Sequence, residues 1–192
     1  MHADLYDYDG TICPGDTGSA FWLYCLLRRP YILIFLPFQL IGGLCYLCGI
    51  CDTLARHMSV HCYMRAVNAP KLAARFAEKR VRKTFPYFLN RDPSIPVVVC
   101  SASPEFLLRP ICEKLNVQHL VASDVDPKTG VVHGRTCKGP EKVRRLRAEY
   151  PDCTFECVYS DSLRHDLPIL GLGQKAYHVT DGTPKEIHVP TE

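Results

Sequence analysis

The hydrophobic and polar positions of this chain fall into two regimes. Leu5 to Tyr8 is a short apolar start ending in acids, which predicts a first β-strand with Asp7 and Asp9 at its C-terminal edge. Gly10, Pro14 and Gly15 then break the backbone. From Thr17 to Arg29 the pattern turns helical, with Phe21, Leu23, Tyr24 and Leu27 among the apolar positions. Pro30 to Cys51 is a run of 22 residues without a charge, and Asp52 to Asn90 reads as helical and basic, flanked at its exit by Pro86 and Pro93.

The remainder alternates. Val97 to Cys100 is a β-rich run suited to a strand buried on both faces, and Leu120 to Ser123 is another. Between them Ser103-Pro104-Glu105 opens a helix, with Ser103 as N-cap and Pro104 in the first turn. Val131 to His133 and Arg135 to Cys137 flank Gly134 and predict a small β-flap. A helix over 140–149, a strand from Phe155 to Tyr159, a short helix from Leu163 to Leu172 and a last strand from Ala176 to Val179 complete the pattern. Strands alternating with helices predict an α/β fold: a Rossmann-like parallel sheet flanked by helices, with sites at the carboxyl ends of its strands. Residues 16–88 form a helical insertion after the first strand, and 1–15 with 89–192 form the core.

Composition narrows the function classes. A net charge of +3 over 192 residues is too mild for a nucleic-acid binder, and no charge block or long repeat points to a disordered or solenoid protein. Eleven cysteines would suggest a disulfide framework, but the count is odd and Met1-His2-Ala3-Asp4 has neither a basic nor an apolar leader. Most lie in apolar runs, where a thiol acts as a small hydrophobe, so a reduced, cytoplasm-facing protein is expected. Cys45, Cys48 and Cys51 form a CxxCxxC string without a fourth ligand at matching spacing; buried helix packing is the better reading. His57 and His61 have the i,i+4 spacing of helical metal ligands, yet surface or cap packing is the commoner use of such a pair. Cys100 has no histidine near it in sequence to make it a nucleophile.

Candidate chemistry sits at three strand ends. Asp7-Tyr8-Asp9-Gly10-Thr11 follows the first hydrophobic run, Ser101 the second, and Asp161 with Asp166 a later one, while Lys142 opens the helix between the last two. An acid at a strand end is commonly a solvated turn residue, but parallel strands would deliver all of these to one edge of the sheet. In this order they resemble the four motifs of the haloacid-dehalogenase-like superfamily, beginning with its DxDGT signature. The stretch from Gly130 through His133, Gly134, Cys137 and Gly139 to Lys142 resembles the phosphoserine-phosphatase-type branch, which also carries its insertion between the first two motifs.

Phosphomonoester hydrolysis needs residues of these types. A phosphate dianion repels anionic nucleophiles, so positioned cations and an in-line oxygen nucleophile are required. Asp7 would attack phosphorus to give an aspartyl-phosphate, and Asp9 would protonate the leaving alkoxide and then activate water. Four carboxylates and a phosphate demand a divalent cation, and oxygen-only ligands favour Mg2+. The resemblance implies ligation by the Asp7 carboxylate, the Asp9 backbone carbonyl and Asp161. Lys142 would hold the transferring phosphoryl group, Ser101 with Ala102 would bind its oxygens, and Thr11 would brace the Asp9 loop. Asp161 to Asp166 is one residue longer than the commonest spacing in this branch, which leaves both Ser162 and Asp166 as candidates beside the metal.

The insertion is where the resemblance places specificity, as a cap. Its uncharged run is long enough to span a bilayer, but a single crossing would separate Asp7 from Ser101, Lys142 and Asp161 by about 30 Å of hydrocarbon. Pro37 and Gly42-Gly43 divide the run into pieces too short for two crossings. An interfacial hairpin or a cap buried against the core remain. Arg28-Arg29 before the run, and Lys71, Arg75, Lys79, Arg80, Arg82 and Lys83 after it, form a cationic flank suited to an anionic leaflet. Leu26-Leu27-Arg28-Arg29-Pro30 followed by an apolar segment is similar to the bacterial phosphatidylglycerophosphate phosphatases of the C type, which implies a lipid phosphate substrate and a peripheral place at the inner face of the membrane. The alternatives are a soluble small-metabolite phosphatase, with Asp16 where the phosphoserine enzymes carry a substrate-binding acid, and a non-catalytic binding protein of the same fold.

Overall fold

A computed structural model of the chain describes residues 1–48 and 61–189. Cys51, His57 and the start of the basic stretch at Asp52 lie outside the described residues. Strand β1 (His2–Tyr6) is followed by helix α1 (Thr17–Arg28), a 3-10 turn (Pro30–Phe35) and helix α2 (Leu36–Leu47). A second 3-10 turn (Cys62–Ala66), helix α3 (Ala69–Val81) and a single helical turn (Pro86–Leu89) lead back to strand β2 (Val97–Pro104). The chain then runs α4 (Glu105–Lys114), β3 (His119–Ser123), α5 (Pro140–Glu149), β4 (Thr154–Ser160), α6 (Leu163–Leu170), β5 (Gly173–Thr180) and β6 (Thr183–Ile187).

The six strands form one sheet in the order β3-β2-β1-β4-β5-β6. Every neighbouring pair is parallel except β5 with β6. The chain moves outward from β1 through β2 to β3, then returns to the other side of β1 for β4. Strand direction and order therefore leave a crevice at the carboxyl end of β1, the usual ligand position in open α/β sheets.

Alternation along the strands builds a core on each face. Val97 and Val99 join Tyr6, Leu107 and Ile111 on one side. Val98 and Cys100 join Ala3, Leu5, Val158 and Ile169 on the other. The insertion packs into the first of these cores through Phe21, Tyr24, Leu72 and Phe76, the residues at helical spacing on α1 and α3.

Three local features differ from the sequence reading. Within its described part, the helical stretch ending at Asn90 is broken into pieces: Pro70 starts α3 behind an Asn68 cap, and Pro86 starts a separate turn. The predicted flap pairs differently, because Val132 bridges Val125 across a turn at Asp126 to Gly130 instead of pairing with 135–137. Strand β6 is an addition. Its sequence, with Pro184 and Lys185, lacks apolar alternation, but Asp181 and Gly182 both adopt positive φ and make the two-residue turn that returns it against β5.

Helix α2 is turned inside out. Its one polar side chain apart from Cys45 and Tyr46, Gln39, is buried, while Leu36, Phe38, Leu40, Ile41 and Leu44 are exposed. Ten of the fourteen exposed large apolar side chains among the described residues lie between Leu23 and Leu44, so the exposure is concentrated in one segment of the chain. At 12 residues α2 is too short to cross a bilayer, and no helix among the described residues is long and apolar enough to do so.

Candidate active site

The ladder of β1 continues one residue past the strand, as Asp7 N donates to Tyr159 O at 2.9 Å. This fixes the Asp7 backbone and leaves its side chain at the crevice. Oδ1 of Asp7 accepts from Lys142 Nζ at 2.7 Å. The same ammonium donates to Asp166 Oδ2 at 2.8 Å, and Asp166 also accepts from Ser160 Oγ at 2.8 Å. All three charged groups are buried, with Lys142 only 3% exposed. Lys142 comes from the first turn of α5 and Asp166 from the first turn of α6, so two helix starts deliver the pair to the strand end.

Burial pushes the Asp7 carboxyl up, to about 7, with Lys142 opposing the shift and Asp166 adding to it. Desolvation pulls Lys142 down, but attraction to Asp7 and Asp166 outweighs it and holds the ammonium above its usual value. Lys142 therefore stays charged between the two acids at any physiological pH.

Asp9 sits in a cradle of donors. Its Oδ1 accepts from Thr17 N at 2.8 Å and from the Thr17 hydroxyl, and its Oδ2 accepts from Ser103 Oγ at 2.6 Å. Arg80 Nη2 lies 3.6 Å from Oδ1. Burial raises the Asp9 carboxyl, and the Ser103 and Thr17 hydrogen bonds counter it. Asp161 is also raised, first by burial and then by repulsion from Asp166.

Thr11 ties the two strand-end loops together. Its hydroxyl donates to Asp7 Oδ2 at 3.4 Å and accepts from Asp161 N at 2.9 Å. Gly10 is required beside it: φ is +76°, and a Cβ there would lie 2.2 Å from Asp161 Oδ2. Ser101 Oγ accepts from Ser103 N at 3.1 Å, which leaves its own proton to donate.

These groups open into a cavity of about 570 Å³. Asp7, Asp9, Asp16, Ser101, Ala102, Lys142, Asp161, Ser162 and Asp166 all line it, and Thr11 lies buried behind the Asp7 carboxylate. Asp16 is at the exposed rim, where one oxygen caps α1 through Ser19 N at 2.6 Å. Ser162 caps α6 through His165 N at 3.3 Å. Trp22, Leu36, Leu40 and Tyr63 from the insertion form an apolar part of the cavity wall, beside Ser19, Gln39 and His61.

Three residues escape the sequence reading. Ser103, read there as a helix cap, makes no cap; Pro104 occupies that position and the Ser103 hydroxyl turns to Asp9. Thr17 carries no signal beyond its place at a helix start. Arg80, read as part of a basic surface, is only 4% exposed, whereas Lys71, Arg75, Lys79, Arg82 and Lys83 around it are exposed. Its alternation with apolar Leu72, Phe76 and Ala77 on one face of α3 was the available clue.

The family model for haloacid dehalogenase-like hydrolases matches residues 5–171. The chain belongs to this family. No curated protein matches it. Among solved structures, this hydrolase resembles a protein of unknown function from Bordetella pertussis Tohama I, at 21% identity and TM-score 0.66 over 92% of this chain and 88% of that one. It also resembles a phosphoserine phosphohydrolase-like protein from Francisella tularensis, at 13% identity and TM-score 0.57 over 92% and 86% of the two chains. A third is a HAD family hydrolase from Salmonella enterica serovar Typhi, at 11% identity and TM-score 0.57 over 90% of this chain and 60% of that one. At such identities the likeness is one of fold. The phosphatidylglycerophosphate phosphatases of the C type are not among these relatives.

The donor set of this hydrolase suits a hard divalent cation. Five carboxylates and two lysines line the cavity, and burial raises Asp7, Asp9 and Asp161 from the usual aspartate value. Such a wall favours a cation with oxygen ligands. Among the described residues no three histidine, cysteine, aspartate or glutamate side chains converge on one point. A cation here would take few carboxylates and complete its shell with backbone oxygen and water, the habit of Mg2+.

Proposed function

We propose that the protein is a Mg2+-dependent phosphomonoester hydrolase acting through an aspartyl-phosphate on Asp7. The observation that carries this reading is the buried Lys142 ammonium shared between Asp7 and Asp166 at the end of β1, opening on a cavity beside Asp9. A carboxylate so placed is a nucleophile with a fixed cation next to its target, not a solvated turn residue.

An Asp7 carboxylate oxygen forms a bond to phosphorus as the ester P–O bond breaks, and Asp9 gives a proton to the departing alkoxide. Asp9 then takes a proton from water, whose oxygen attacks phosphorus and returns the Asp7 carboxylate with inorganic phosphate. Lys142 and the Ser101 hydroxyl, beside Ala102, hold the phosphoryl oxygens through both displacements. Asp166 orients Lys142, and Thr11 keeps the Asp7 and Asp161 loops in register. The Asp7 carboxylate, the Asp9 backbone carbonyl and Asp161 would hold Mg2+, whose positive charge would offset repulsion between the carboxylates and the phosphate.

The substrate proposed is a lipid phosphate, with residues 16–88 as a cap seated at an anionic membrane surface. Three features favour it over a small polar metabolite. Trp22, Leu36, Leu40 and Tyr63 give the insertion's side of the cavity an apolar share beside the polar Asp16, Ser19, Gln39 and His61; Leu36 and Leu40 belong both to that wall and to the exposed face; and Arg28, Arg29 and the exposed cations of α3 flank the apolar run within the insertion. Asp16, the acid that a phosphoserine-type site would use, spends an oxygen on capping α1.

A phosphatase screen with phosphatidylglycerophosphate, lysophosphatidate, phosphoserine and sugar phosphates tests both halves. Metal-dependent turnover lost in Asp7→Asn, highest on the lipid phosphates, is expected. Robust phosphoserine turnover with none on lipid overturns the substrate; no turnover of any ester overturns the phosphatase reading.

A further inference from the structure

Arg80 has no part in the mechanism above, yet it is a buried arginine that reaches from the far end of the insertion to the general acid. Its Nε and Nη2 donate to Thr17 Oγ1 at 3.2 and 2.9 Å, and Nη2 also donates to Gly15 O at 2.8 Å. A threonine hydroxyl has two lone pairs and one proton. The Arg80 fork occupies both lone pairs, so the Thr17 proton has one remaining direction, toward Asp9 Oδ1. Thr17 N donates to the same oxygen. Oδ1 is thereby committed as an acceptor, and Oδ2, with Ser103 beside it, is the oxygen left to exchange protons with substrate and water.

We infer that Arg80, whose Nη2 also lies 3.6 Å from Oδ1, is a positioning residue for Asp9 that acts chiefly through Thr17 to fix which carboxylate oxygen does the proton transfer. This rests on the phosphatase reading and deepens it. The consequence is that the rotamer of Asp9 is set by the insertion: Thr17 from α1 and Arg80 from α3 must stay together for the carboxylate to point correctly. Lysine cannot replace the fork, because a single ammonium offers no fixed pair of N–H groups in the guanidinium plane.

The test compares Arg80→Lys, Thr17→Val, Thr17→Ser and the double variant Arg80→Lys/Thr17→Val on two esters. An alkyl phosphate has a poor leaving group that needs the proton from Asp9, whereas p-nitrophenyl phosphate leaves without one. Arg80→Lys and Thr17→Val are expected to lower kcat/KM for the alkyl ester by about 10- to 100-fold, less than the roughly 10²- to 10⁴-fold that general acid catalysis contributes, because the carboxylate is misaligned and not removed. The same variants should change kcat/KM for p-nitrophenyl phosphate less than about 3-fold, since that step bypasses the acid. Thr17→Ser keeps the hydroxyl and should stay near wild type, and the double variant should lose no more than the worse single one. Equal losses on both esters, or additive losses in the double variant, mean a structural role and overturn the inference.

A readout independent of turnover separates this from failure of the phosphatase reading. The Thr17 hydroxyl proton, buried and donated to Asp9 Oδ1, should exchange slowly enough to give a proton resonance that disappears in Thr17→Val and moves in Arg80→Lys. A wild-type protein inactive on every ester but showing that resonance and its shift would sink the phosphatase reading while sparing the relay. Absence of the resonance in wild type, or its indifference to Arg80→Lys, overturns the relay itself.

Discussion

Replacing Ile34, Leu40 and Leu44 together by serine should detach the protein from anionic vesicles without unfolding it. These side chains are 70%, 67% and 63% exposed, so the folded protein loses little packing when they are shortened. Full burial of such a side chain is worth about 1.5–3 kcal/mol, so immersing the exposed two-thirds yields about 1–2 kcal/mol each. The three together contribute about 3–6 kcal/mol, or roughly 10²- to 10⁴-fold in partitioning. The basic flank adds about 1 kcal/mol per cation near the surface, and salt screens that part but not the apolar part. Flotation with vesicles containing phosphatidylglycerol, at low and high salt, reads both contributions. Wild type should float under both conditions, more strongly at low salt, and the triple variant only weakly at low salt. Thermal melting should shift little, since surface substitutions usually stay within about 0.5 kcal/mol each. Equal flotation of wild type and triple variant, or no association of wild type at low salt, would refute the reasoning.

The catalytic centre yields four further expectations. Asp7→Asn should lower p-nitrophenyl phosphate hydrolysis by at least about 10³-fold and abolish acid-stable labelling of the enzyme by phosphate in a quenched reaction. Lys142→Met leaves Asp7 and Asp166 buried beside each other without a cation; a loss of about 3–5 kcal/mol, read by thermal or urea unfolding, is expected. Gly10→Ala forces a positive φ on alanine and drives its Cβ into Asp161, so activity should fall together with about 1–3 kcal/mol of stability. Because the Asp7 carboxyl is raised from 3.8 to about 7, the metal-free folded state holds a proton that the unfolded chain has released. Its contribution to stability is full below 3.8 and is lost as pH rises through about 7. Mg2+ competes with that proton, so calorimetric affinity should be tighter at about pH 8 than at about pH 6; a pH-independent affinity would refute this.

The strand-end acids, Ser101 and Lys142 were legible because a parallel sheet converts sequence order into a shared edge, and four positions in order suffice to see it. The cradle around Asp9 was not. Thr17, Arg80 and Ser103 are 8, 71 and 94 residues from Asp9, and nothing local marks a hydroxyl that turns toward a distant carboxylate. Ser103-Pro104 also mimics a helix start, so the cap reading won over a role that only the fold reveals. Strand β6 was missed for the opposite reason. The Asp181-Gly182 turn signal was present, but a polar edge strand offers no apolar alternation, and Lys185 and Pro184 there suit an unpaired edge that must resist further pairing. The inverted polarity of α2 was foreseen only as a pair of alternatives, since 22 uncharged residues look alike whether protein or lipid covers them.

Leu36 and Leu40 form part of the cavity wall and of the outward apolar face at once. An enzyme seated through that face would meet its substrate by lateral diffusion, so velocity would follow the mole fraction of phosphate ester in the surface instead of its bulk molarity. Diluting the ester with inert detergent at constant total ester would then slow turnover, a kinetic behaviour that a water-soluble substrate entering from the bulk does not produce.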